Sequence, residues 1–137
     1  MSLLSTVTNQ GLVRFMVVAG PLTAPMLIRF LRRLIRSTNR KVFLILDNLN
    51  VHKAAMVRAW VAAHADQVAV FYLPAYAPEL NPDEYLNGDL TLGVAAKLPA
   101  RTKPELAKAA RSHLRMLQRR PARVRRFFHQ PRIKYAA

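Results

Sequence analysis

The sequence predicts an α/β fold in which an antiparallel hairpin precedes strand–helix–strand crossover units and the chain closes with helices. Three observations carry this. Val42–Leu46 and Val68–Leu73 are short unbroken apolar runs, the pattern of strands buried on both faces. An alanine-rich stretch of helical length, from about Val51 to Ala65, separates them. Upstream, Leu3–Thr8 and Leu12–Val18 flank Gln10-Gly11, a pair that suits a hairpin turn.

Each element follows from its residues. Gly20-Pro21 ends the second strand, and Thr23 is placed to cap a helix whose first turn holds Ala24 and Pro25. Leu27, Phe30, Leu31, Leu34 and Ile35 then recur at helical spacing, with Arg29, Arg32, Arg33 and Arg36 mostly opposite them. In the alanine-rich stretch, Met56, Val57, Trp60 and Val61 supply a core face. Pro74 and Pro78 cannot continue a ladder, so residues 74–78 form a loop. Asn81 caps the next helix, with Pro82 at its first position and Asp83 and Glu84 in its first turn, while Gly88 and Gly93 weaken it. Thr102 and Pro104 start another helix running to about Arg120, and Pro121 restarts the chain before an arginine-rich tail.

Composition narrows the function. The 137 residues, 52% of them hydrophobic, suit one packed domain. No cysteine is present, so disulfides, thiolate metal sites and cysteine nucleophiles are excluded. The apolar runs fall far short of a membrane span, and Met1–Gln10 lacks the basic start and apolar segment of a signal peptide. A soluble, cytoplasmic protein is expected. The net charge of +15 attracts polyanions, of which nucleic acid is the commonest in a cell. Twelve basic residues and one acid, Glu105, lie in residues 101–137. Five of the seven acids gather at Asp47 and between Glu79 and Asp89. A basic body with a focused acidic region suits metal-dependent phosphodiester chemistry.

Asp47 is the first residue beyond an apolar strand, at the carboxyl end where open α/β sheets place their ligands. Two carboxylates brought together there can hold Mg²⁺ or Mn²⁺, hard cations that take oxygen ligands. Plainer roles stay open for each acid alone. Asp47 can cap the following helix, and Glu84 can favour its own helix's amino end.

The two segments LILDNLNVH and FYLPAYAPELNPDEYLNGDL, in this order and with 36 residues between Asp47 and Glu84, resemble the catalytic core of DDE transposases. The similarity is to the mariner-like superfamily, in its bacterial insertion-sequence branch, and extends from about Gly11 through Asp89. The resemblance implies a ribonuclease H-like fold, as in integrase and transposase catalytic cores: a mixed sheet flanked by helices, here lacking the first strand. It also implies metal-dependent cleavage and joining of DNA strands. Asp47 and Glu84 would be the second and third acids of the triad and would hold Mg²⁺ or Mn²⁺. Asn48, His52 and Asn81 would stand near the site, with His52 touching DNA or orienting Asp47, or simply capping or packing.

One departure bears on activity. The family places its first aspartate on the first strand, yet residues 1–46 contain no acid. The expectation is therefore a carboxy-terminal part of an insertion-sequence transposase, inactive alone, with residues 1–100 a partial catalytic core and residues 101–137 a basic helical tail packed on it. The alternative is a non-catalytic DNA-binding or regulatory product that associates with intact transposase. Absence of a central strand would leave two apolar edges that invite self-association, so a homodimer is a further expectation. Element ends and target DNA would be the partners, in a bacterial nucleoid. Arg119, Arg120, Arg123, Arg125 and Arg126 are the expected phosphate contacts, with Phe127, Phe128 and Tyr135 packing the tail rather than stacking on bases.

Overall fold

A computed structural model describes residues 1–75, 77–95 and 102–137. Its strands are β1 (Ser2–Val7), β2 (Val13–Val18), β3 (Val42–Leu46) and β4 (Val68–Tyr72). Its helices are α1 (Ala24–Arg36), α2 (Ala55–Ala63), α3 (Pro82–Ala95), α4 (Lys103–Gln118) and α5 (Pro121–Arg125), with short 3₁₀ turns between and after them. The order of elements thus matches the α/β expectation. The strands form two two-stranded sheets, β1–β2 antiparallel and β3–β4 parallel. The chain forms one compact unit of residues 1–20 and 79–137 and another of residues 21–78. Tyr76, in the loop of the second quoted segment, and Arg101, at the start of the tail, lie outside the described residues.

In the first unit, β1 and β2 pair from Ser2↔Val18 to Val7↔Val13. Gly11 makes the turn at φ +89, a conformation that favours glycine. A Cβ there would also stand 2.3 Å from the Pro121 carbonyl oxygen, so the hairpin tip and the start of α5 meet at a point with no room for a side chain. Val13 joins Leu86 of α3, Leu114 and Leu117 of α4 and Val124 of α5 in one buried cluster. Full burial of each such side chain contributes about 1.5–3 kcal/mol. Gln118 reinforces the packing by donating from Nε2 to the Val13 carbonyl at 2.9 Å. The helix starts behave as the sequence predicts. Thr102 accepts from the Glu105 amide at 3.2 Å and Asn81 Oδ1 from the Asp83 amide at 3.0 Å. In the tail, Phe128 is buried, Phe127 lies against the cluster, and the Tyr135 hydroxyl donates to the Leu80 carbonyl.

In the second unit, α1 buries Leu27, Ile28, Phe30, Leu31 and Leu34 and packs on α2. Thr23 stands at its amino end but makes no side-chain capping bond, and Ile35 is only half-buried. The single helix expected from Val51 to Ala65 is instead a 3₁₀ turn, Val51–Lys53, followed by α2. Ala54, at φ −55 and ψ 143, breaks the run. The turn is held by side-chain bonds: the His52 ring binds back to the carbonyl of Asp47, and the Tyr72 hydroxyl donates to the carbonyl of His52. Val57 and Trp60 are buried on α2, whereas Met56 is 54% exposed and leaves the core face assigned to it.

Burial on both faces of β3 and β4 is not found. Leu44 and Val68 are buried, but Phe43 is 68% and Phe71 54% exposed, and Ile45 is exposed as well. Direct pairing of Ile45 with Phe71 and of Phe43 with Ala69 puts these side chains on one face. The unbroken apolar run therefore reports a two-residue alternation whose outer half is also apolar.

Candidate active site

Asp47 follows β3 directly, and the parallel pairing of β3 with β4 brings the carboxyl ends of both strands together. The Leu73 amide donates to the Leu46 carbonyl at 2.8 Å, extending the ladder by one bond at this end. Residues 47–50 then turn away from the sheet. A cleft of about 470 Å³ opens there, lined by Asp47, Asn48, Asn50 and Lys53 on one side and by Pro74, Ala75 and Pro78 on the other. Proline and alanine on the far wall leave the polar chemistry to the β3 side.

His52 is buried beneath this turn. Its Nδ1 lies 2.8 Å from the Asp47 carbonyl oxygen. A carbonyl only accepts, so Nδ1 carries the hydrogen and Nε2 is the acceptor of the neutral ring. The Tyr72 hydroxyl donates to the His52 carbonyl at 2.8 Å, which ties the turn to the end of β4. His52 thus ties its ring to the Asp47 backbone with 8% of its surface exposed. Asn48 has a buried Oδ1 with no hydrogen-bond partner, next in sequence to Asp47.

Glu84 belongs to the other unit, in the first turn of α3, and is exposed. Two acids beside it are committed elsewhere. Asp83 accepts from the Ser5 hydroxyl at 2.8 and 2.9 Å, which fastens the start of α3 to β1. Asp89 accepts from His113 Nε2 at 2.7 Å and from both Arg123 Nε and Nη2, at 2.8 and 2.9 Å. His113 is buried, and the Asp89 side chain is 13% exposed. Gly93 leaves room for this ring: a Cβ there would fall 2.1 Å from His113 Cε1. Sequence reasoning missed this junction, although Gly93 in a helix was the signal that something stands close to it.

The arginines expected on DNA divide. Arg123 is bound in two-pronged fashion to Asp89 through Nε and Nη2. Arg125 donates to the Gln10 carbonyl at 3.3 Å while staying exposed. Arg119, Arg120 and Arg126 are exposed. Among the described residues no group of three His, Asp or Glu converges in a way that would hold a metal unaided. No helix there is long and apolar enough to cross a membrane.

A family model described as "DDE superfamily endonuclease" matches residues 1–107. Among solved structures, the chain is similar to the catalytic domain of Mos1 mariner transposase, with a TM-score of 0.64 and 16% identity over 98% of this chain and 72% of that one. A structure of the Mos1 transposase catalytic domain and Raltegravir with Mg is similar at a TM-score of 0.61 and 18% identity, over 98% and 74%. At such identities the likeness is one of fold, and the fold is the ribonuclease H-like one. The comparison with curated proteins gives no match.

Proposed function

Because this chain belongs to the DDE superfamily endonucleases, we propose that it carries two of the three metal-holding carboxylates of an insertion-sequence transposase, Asp47 and Glu84. The observation supporting this most directly is the place of Asp47, at the carboxyl end of β3 on the rim of a cleft large enough for a phosphodiester and its ions.

The donor chemistry fits a hard divalent cation. Asp47 supplies a carboxylate, and Asn48 supplies a carboxamide oxygen that is buried without a hydrogen bond. Mg²⁺ takes one or two carboxylates and completes its shell with water and substrate phosphate oxygens. Bound there, Mg²⁺ or Mn²⁺ would supply Lewis acidity and activation of the attacking oxygen. The protein's part is positioning. His52 and Tyr72 fix the turn that presents Asp47, Asn81 and Ser5 fix the start of α3 beside Glu84, and Lys53 places a positive charge on the cleft wall for a phosphate. Arg119, Arg120 and Arg126 give further phosphate contacts to element ends or target DNA, in the cytoplasm of a bacterium.

A second reading is a non-catalytic DNA-binding product that pairs with itself or with an intact transposase. It is favoured by the exposed apolar side chains of Phe43, Ile45 and Phe71, a surface that a second chain would cover. Plasmid nicking separates the two. The expected result for the chain alone, with Mg²⁺ or Mn²⁺, is a salt-sensitive gel shift without nicking. Joining an upstream segment with an aspartate-bearing strand should restore nicking, and Asp47→Asn or Glu84→Gln should abolish it again. An extended protein that stays inert supports the regulatory reading. Nicking that survives both substitutions contradicts the catalytic one.

A further inference from the structure

We propose that the outer face of α1 is a second DNA-backbone contact, separate from the carboxyl-terminal arginines and from the Asp47 cleft. This inference rests on DNA being the partner. Arg29, Arg32, Arg33 and Arg36 are all exposed on this helix. At 3.6 residues per turn they fall within an arc of about 100° and along about 10 Å of axis, so they form one stripe. Arg40 and Lys41, also exposed, follow directly in sequence.

Among the described residues nothing in the fold uses this stripe. Ion pairs there involve His113, Arg123 and Arg132, none of them on α1. The unit of residues 21–78 contains only two acids, Asp47 and Asp66. Four arginines at three- and four-residue spacings repel one another and weaken the helix that bears them. Arg33 and Arg36 recover part of this at the helix's carboxyl end, but Arg29 and Arg32 lie too far back to do so. A cost carried without a compensating partner in the fold points to a partner outside it.

The chemistry selects the double-stranded phosphate backbone. Adjacent arginines of the stripe stand about 5–6 Å apart at their Cβ atoms, a spacing that lets successive guanidiniums meet successive phosphates. Each fork can take two phosphate oxygens. An interfacial membrane helix needs a free apolar face, and the apolar face of α1 is already buried in Leu27, Ile28, Phe30, Leu31 and Leu34. Single-stranded binding relies on exposed aromatic platforms, and α1's one aromatic residue, Phe30, is buried.

The test compares the full chain with a variant carrying Arg29→Gln, Arg32→Gln, Arg33→Gln and Arg36→Gln, on duplex DNA from 50 to 300 mM salt. Removing one arginine–phosphate pair lowers the log–log salt slope by about 0.9, so the slope should fall by about 3 to 4. Affinity at the low-salt end should drop by at least about 100-fold. The corresponding four-lysine variant should keep most of the slope, and thermal unfolding of the glutamine variant should be unchanged or slightly later as repulsion is relieved. A slope equal to the parent's overturns the proposal while leaving the DNA reading intact. A parent that does not bind DNA at all fails that reading instead. Preference of the parent for anionic phospholipid vesicles over duplex DNA would overturn the assignment of the stripe to DNA.

Discussion

Asp47 and Glu84 are held in place by opposite means. The turn that presents Asp47 is fixed by one local bond, His52 on its carbonyl, and by the end of β4, with Tyr72 on the carbonyl of His52 and Leu73 extending the ladder. The helix that presents Glu84 is fixed by side chains of three other elements, β1, α4 and α5. Ser5 grips Asp83 from 78 residues away, and His113 and Arg123 grip Asp89 from 24 and 34 residues away. The first arrangement uses neutral hydrogen bonds at the edge of a sheet with one apolar face in water. The second uses a largely buried charged junction in a unit with a dense aliphatic cluster. Fixation from three elements suits a helix that must not slide.

The contrast can be broken at the junction first. Asp89→Ala leaves a buried histidine and a two-pronged arginine without their acceptor, and should cost about 3 kcal/mol in urea unfolding, at the low end for a broken ion pair because Arg123 is 39% exposed. A cost below about 1 kcal/mol would mean the junction is ornamental. Gly93→Ala should cost about 1–3 kcal/mol, since the new methyl group must displace the His113 ring. Ser5→Ala removes a hydrogen bond to a carboxylate, about 1.5 kcal/mol. Tyr72→Phe removes a neutral one near Asp47, about 1 kcal/mol, and should be the mildest of the four. A larger effect from Tyr72→Phe than from Asp89→Ala would reverse the comparison.

Legibility in the sequence follows separation along the chain. The strand ending in Asp47, the cap at Asn81, the cap at Thr102 and the face of α1 are readable because each rests on residues a few positions apart. The pairing of Arg123 with Asp89 is unreadable because the two lie 34 residues apart, and charge alone does not reveal that an arginine faces an aspartate. Met56 is misplaced because alanine-rich helices give little contrast between faces, and the 3₁₀ turn at Val51–Lys53 shifts the register of the helix that follows. The exposed face of Phe43, Ile45 and Phe71 is unreadable for a related reason: composition reports that a residue is apolar, not that something covers it.

The most direct test of the central claim, that Asp47 and Glu84 hold the metal, is a Mn²⁺ titration followed by electron paramagnetic resonance on the parent, Asp47→Asn and Glu84→Gln, with duplex DNA present. Each substitution should weaken Mn²⁺ binding by at least about tenfold, as loss of a charged oxygen ligand exceeds the effect of losing an outer-shell partner. Both variants binding Mn²⁺ as tightly as the parent would contradict the account, and would leave Asp47 and Glu84 as ends of a strand and a helix with no metal between their roles.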